Sequence, residues 1–133
     1  MKWRAPMSDV VLDASAVLAV MHEEPGAEEV WSHLPGAYLS AVNAAEVAAK
    51  LVDAGADPVE AGDRLLRLGA QVVAFDTGDV VPNAQLRAET RQAGLSFADR
   101  ACLALARRLG LPAVTADRTW ATIDSEIDVR LIR

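Results

Sequence analysis

LSFADRACLALARRLGLPAVTADRTW, Leu95–Trp120, is the stretch on which the fold turns. Ser96 with Asp99 three residues later has the spacing of a reciprocal helix cap, and Phe97–Leu109 continues as a strong helical run. Gly110 and Pro112 stop that run, Ala113–Thr115 is a short apolar strand, and Asp117 and Arg118 stand where the strand ends. A carboxylate at the exit of a buried strand has an ordinary explanation as a turn cap. Whether that explanation suffices depends on where the other carboxylates fall.

Outward from this stretch the same pattern repeats. Val10–Leu12 is a strand ending at Asp13, and Ser15–Met21 follows with helical character. Glu23–Gly26 is a break, Ala27–Leu34 a short helix, and Ala37–Leu39 a strand after Pro35 and Gly36. Asn43 is expected to cap a helix that reaches Asp53 and is ended by Gly55. Pro58 opens a further helix through Leu68, Gln71–Phe75 is strand-like, and Thr77–Gln92 is mostly helical with an interruption expected near Pro82. Asp128–Ile132 is the last strand. Strands separated by helices give an α/β domain with a mainly parallel central sheet.

At 133 residues the chain has room for one domain, 1–133, with a full core. Met1–Pro6 precede the first strand and are read as a frayed arm or the trace of an upstream start. With 52% hydrophobic but only 5% aromatic residues, the core is built from Ala, Val and Leu, and Trp31, Tyr38 and Trp120 are expected as core or hinge fillers rather than base-stacking surfaces. No apolar run approaches the ~20 residues of a membrane span, and the N-terminus lacks a secretory pattern, so a cytoplasmic protein is expected. Cys102, the only cysteine, permits no internal disulfide or thiol cluster and is expected to be a buried hydrophobe. The formal charge of −6 argues against a broad electrostatic grip on nucleic acid. That objection weakens if carboxylates converge on divalent cations, and eleven of the thirteen basic residues are arginines, suited to phosphate.

In open parallel sheets the functional crevice lies beyond the carboxyl ends of the strands, where Asp13 and Asp117 fall. Glu46, in SAVNAAEVAAKL, and Asp99 lie near helix starts facing the same edge. Each has a bland reading: Asp13 and Asp117 as caps, Glu46 paired with Lys50, Asp99 in a reciprocal cap with Ser96. The apolar surroundings of Glu46 and Asp99 are not explained that way, because a carboxylate facing a crowded interior needs a partner. Carboxylates ~4 Å apart repel by about 4 kcal/mol per pair at a surface-like dielectric, so a converged set demands a counter-ion. All-oxygen ligation selects Mg²⁺ or Mn²⁺ over zinc, and phosphodiester hydrolysis is the chemistry that fits. Ser15 and Thr115 are placed to orient a carboxylate or a water. His22 and His33, eleven residues apart, supply no ligand pair on one turn.

The order VVLDASAVLAV, SAVNAAEVAAKL and LSFADRACLALARRLGLPAVTADRTW resembles the PIN-domain ribonucleases, in particular VapC-like toxins of toxin–antitoxin pairs, over nearly the whole chain. The resemblance implies a three-layer α/β/α domain and a metal-dependent RNA endonuclease whose acidic site matches Asp13, Glu46, Asp99 and Asp117. Asp13 and Asp99 would be the most direct Mg²⁺ or Mn²⁺ ligands, with Glu46 and Asp117 acting through the metal or its water. Ser15 and Thr115 match positions often filled by small hydroxyl residues. The resemblance also implies an RNA substrate, a small VapB-like antitoxin and a homodimer. Arg100 and Arg118, each beside a site aspartate, are candidate phosphate contacts. Two rivals remain: a catalytically silent PIN-like binding module, and an aspartate-nucleophile phosphatase. The latter is opposed by Ser15 where a second Asp is needed and by lysines only at Lys2 and Lys50.

Overall fold

The computed structural model describes residues 9–133; the arm expected at Met1–Pro6 lies outside the described residues. Among the described residues five strands form one sheet: β1 (Val10–Leu12), β2 (Ala37–Ser40), β3 (Gln71–Val73), β4 (Ala113–Thr115) and β5 (Val129–Leu131), in the order β3-β2-β1-β4-β5. Every neighbouring pair is parallel, with Val10 opposite Ala37 and Leu12 opposite Val114 among the central partners. The α-helices among the described residues are α1 (Ala14–Met21), α2 (Ala27–His33), α3 (Ala41–Asp53), α4 (Pro58–Leu66), α5 (Val80–Glu89) and α6 (Phe97–Leu109).

Alternation along three-residue strands divides the core. Val10, Leu12 and Val114 pack with α1 to α4 on one face, while Val11 and Ala113 pack with Leu86, Leu103 and Trp120 on the other. The result is the expected three-layer α/β/α domain with a parallel sheet. The chain leaves β1 toward β2 and β3, then returns through α5 and α6 to lay β4 on the other side of β1. The order therefore reverses between β1 and β4, the place beyond whose strand ends a parallel sheet commonly carries its functional site.

Several local expectations are corrected. Ser40, not Asn43, caps α3: β2 runs straight into the helix, and Ser40 Oγ accepts the Val42 N–H at 3.2 Å. Asn43 is instead an interior helical residue, fully buried. Pro82 does not interrupt α5, because it lies in the first turn, where the missing N–H has no helical acceptor to lose. Trp31 is not a core filler but is 53% exposed, whereas Trp120 is buried. Cys102 is buried as expected. Among the described residues, no helix is long and apolar enough to cross a membrane.

Candidate functional site

Asp13 follows β1 directly and is 5% exposed. It occupies the N-cap position of α1, yet its side chain makes no cap hydrogen bond. Its Oδ2 accepts instead from Ser15 Oγ at 2.8 Å and from Thr115 Oγ1 at 2.9 Å. The two hydroxyl oxygens lie 3.1 Å apart, so three O···O contacts share two hydroxyl protons. Thr115 Oγ1 also accepts the Asp117 N–H at 3.0 Å, and Ser15 Oγ accepts the Ala116 N–H at 2.9 Å. Ser15 and Thr115 thus tie the Asp13 carboxylate to the end of β4.

Burial pushes the Asp13 carboxyl above the usual carboxylate range; the Ser15 and Thr115 hydroxyls pull it back, and the charge of Asp99 adds to the rise. Glu46, half-buried on α3, is also raised, first by burial and then by the charge of Asp13, with Lys50 opposing and Asp99 adding. Lys50 acts only through its field, since no ion pair with Glu46 forms. Cys102, one helical turn beyond Asp99, registers the same gathering from beneath: burial raises its thiol well above the ordinary range, and Asp13, Asp99 and Glu46 raise it further. Asp13, Glu46 and Asp99, from three separate elements, are thus near enough to act on one another through their charges.

Asp99 also performs the local role foreseen for it. Its Oδ2 accepts the Ser96 N–H at 3.0 Å while Ser96 Oγ accepts the Asp99 N–H at 3.1 Å, a complete capping box. Asp117 is the residue the structure does not bring to the other three. Its Oδ1 accepts the Thr119 N–H at 2.9 Å and the Thr119 hydroxyl at 2.7 Å, capping the 3-10 turn Arg118–Thr122. It joins the site through its backbone, by way of Thr115. Among the described residues, no group of three or more His, Cys, Asp or Glu side chains is placed to hold a metal ion, His22 and His33 included.

Arg118 is exposed beside Asp117. Arg100, expected at a phosphate, has donors engaged inside the chain: Nε donates to Asn83 Oδ1 at 3.1 Å and Nη1 to the Leu95 carbonyl at 2.9 Å. Asn43 and Asn83, neither foreseen as part of this region, both bond to the first turn of α6. The signal for Asn43 was available: an amide in an Ala/Val-rich helix, one turn ahead of Glu46.

Residues 10–126 match the sequence profile of the family described as PIN domain. The chain belongs to the PIN domain family. No curated protein matches it in sequence. Among solved structures, this PIN domain is similar to a toxin–antitoxin complex from Klebsiella pneumoniae, with a TM-score of 0.71 and 16% identity, covering 93% of this chain and 98% of that one. VapBC-1 from nontypeable Haemophilus influenzae gives 0.71 at 15% identity, covering 93% and 98%. VapC20 from Mycobacterium tuberculosis, a sarcin-ricin loop cleaving toxin, gives 0.71 at 18% identity, covering 90% and 98%. At these identities the likeness is one of fold, and the fold is that of the PIN domain.

Proposed function

We propose that this PIN domain is a metal-dependent endoribonuclease, the toxin of a toxin–antitoxin pair. The observation that carries the reading is the gathering of Asp13, Glu46 and Asp99 at the reversal point of the sheet, with two of the carboxyls raised and no ion pair to any of the three among the described residues. Such a set is costly for the fold alone and suits a hard divalent cation, Mg²⁺ or Mn²⁺, for which the donors are all oxygen. Asp13 and Asp99 would hold the ion, with Glu46 acting through it or its water, and Asp117, tied to the site through its backbone N–H, reaching it only through a water. When bound, the ion supplies charge neutralisation and a water of lowered pKa for attack on a phosphodiester. The chain's own part is positional. Ser15 and Thr115 fix Asp13, the capping box fixes Asp99, and exposed Arg118, next to Asp117, would meet the phosphate backbone.

An RNA substrate with unpaired, accessible bases, a VapB-like antitoxin, a homodimer and a cytoplasmic setting belong to the same proposal. It is supported by the toxin–antitoxin proteins whose fold the chain shares. A second reading, a silent PIN-like binding module, is favoured by one observation: Asp99 and Asp117 each commit an oxygen to a local cap.

Cleavage separates the two. Antitoxin-free protein is incubated with a pool of structured RNAs in Mg²⁺ or Mn²⁺, in chelator, and with Asp13→Asn and Asp99→Asn in parallel. Fragments that require both the ion and the two aspartates are expected. Folded protein that cuts no RNA in the pool favours the silent module, and fragments insensitive to chelator and substitution reveal a contaminant.

A further inference from the structure

Side chains from two neighbouring helices, and one from α6 itself, converge on the backbone just ahead of Asp99. Asn43, fully buried on α3, donates through Nδ2 to the Ala98 carbonyl at 3.0 Å. Asn83, buried on α5, donates to the Phe97 carbonyl at 3.5 Å and accepts the Nε–H of Arg100 at 3.1 Å. Arg100 reaches back through Nη1 to the Leu95 carbonyl at 2.9 Å. The carbonyls of residues 95, 97 and 98 are thus gripped by side chains in addition to the capping box.

Helix initiation does not need these bonds. α6 has thirteen residues, a complete capping box at one end and Gly110 at the other. What the extra bonds determine is where its first turn sits. Asn43 lies one turn ahead of Glu46, so a single hydrogen bond ties the helix bearing Glu46 to the residue preceding Asp99. Asn83 and Arg100 brace the same turn from the side of α5, and the planar guanidinium admits few orientations that serve both of its acceptors. Among the described residues, Asn43 Oδ1 has no partner in its fully buried position. An apolar residue there would leave no orphan acceptor, so simple packing does not account for the amide.

We propose that Asn43, Asn83 and Arg100 are positioning residues of the acidic site: they hold the Asp99 turn against the Glu46 helix in the arrangement a divalent cation requires. This inference rests on the metal-dependent reading above. It also explains why Arg100, adjacent to a site aspartate, is turned into the protein rather than toward a phosphate.

The test is a Mn²⁺ titration without RNA, followed by the electron paramagnetic resonance of free Mn²⁺. It compares wild type, Arg100→Ala, Arg100→Lys, Asn43→Ala, Asn83→Ser and Arg107→Ala, with circular dichroism and Tm for each. Arg100→Ala and Asn43→Ala are expected to weaken Mn²⁺ binding at least tenfold while folded at the titration temperature. Arg100→Lys, able to make only part of the fork, falls between them and wild type. Arg107→Ala, whose ion pairs lie at the far end of α6, keeps the wild-type affinity whatever it does to Tm. Should Asn43→Ala fail to fold, Arg100→Lys and Asn83→Ser carry the same comparison. A folded Arg100→Ala within twofold of wild type overturns the proposal, as does an affinity loss that tracks Tm across all variants, Arg107→Ala included. Wild type that takes up no Mn²⁺ overturns the metal-dependent reading itself, and is seen in that sample alone.

Discussion

The two ends of α6 treat carboxylates in opposite ways. At its C-terminal end Arg107 lies 2.6 Å from Glu89 and 2.6 Å from Glu126, drawing two acids to one cation. At its N-terminal end Asp99 joins Asp13 and Glu46, two of the three carboxyls are raised, and Arg100 bonds to neutral groups instead. One end is arranged for stability and the other leaves repulsion in place. A chain with eleven arginines does not lack cations for the second end. Burial first, and the mutual repulsion of these acids second, hold Asp13 and Glu46 above the usual carboxylate range, with only Lys50 opposing at Glu46.

Asp13→Asn should break the comparison most completely. It keeps the shape and the hydroxyl contacts but removes the buried charge, so RNA cleavage in saturating Mn²⁺ should fall roughly a hundredfold or more, since even groups that only orient a ligand matter by 10–100-fold. In chelator the same variant should be at least as stable as wild type at neutral pH, because the desolvated carboxylate is gone. Cleavage assays and thermal melts on one preparation check both halves; unchanged cleavage would remove Asp13 from the chemistry.

Next in size is the response to the ion. Mn²⁺ at a hundred times its dissociation constant should stabilise wild type by about 2.7 kcal/mol, raising Tm by several degrees, while Asp13→Asn shows little shift. Arg107→Ala should shift as wild type does, from a lower starting Tm.

The two ends should also carry opposite pH signatures in chelator. The folded-state values of Asp13 and Glu46 are raised, so their contribution to stability is complete below the ordinary carboxylate range, about 4, and is lost as pH rises through the raised values. Glu126 is lowered by its bond to Arg107, so its contribution is present above that range and is lost as pH falls through the lowered value. The Tm difference between wild type and Asp13→Asn should therefore move against wild type as pH rises from 4. The difference between wild type and Arg107→Ala should shrink as pH falls below 4. Parallel curves would show that the two ends are electrostatically alike.

Only the acidic end of this contrast was legible in the sequence, for reasons that differ by residue. VVLD and AVTAD were readable because a buried strand followed by an acid has few alternatives in a parallel sheet, and S-F-A-D because its cap is local. Asn43 was misread for the same local reason: Asn and Ser both cap well, and only the pairing of Ser40 in β2 decides where the helix begins. The destinations of Arg100 and Arg107 were not legible. Both follow from α5 packing on α6, which places Asn83 near one end and Glu89 near the other. Asp117 was read correctly for its place at the strand end, but the turn of its carboxylate toward Thr119 depends on backbone geometry that spacing does not reveal.

The smallest expected effect sharpens the comparison by disturbing only the stabilising end. Gly110 caps α6 at φ 67°, and a Cβ built there would meet nothing within 4 Å. The cost of Gly110→Ala is therefore conformational rather than steric against neighbours: the left-handed backbone that glycine adopts freely is unfavourable for alanine, by about 1 kcal/mol. Denaturant unfolding should show that loss with an unchanged slope, because the surface exposed on unfolding is nearly the same. Mn²⁺ affinity should stay at the wild-type value, since the acids and the residues that brace Asp99 lie at the opposite end of the helix. A drop in affinity here would mean that α6 transmits strain along its length, and that the separation between its two ends is not energetic.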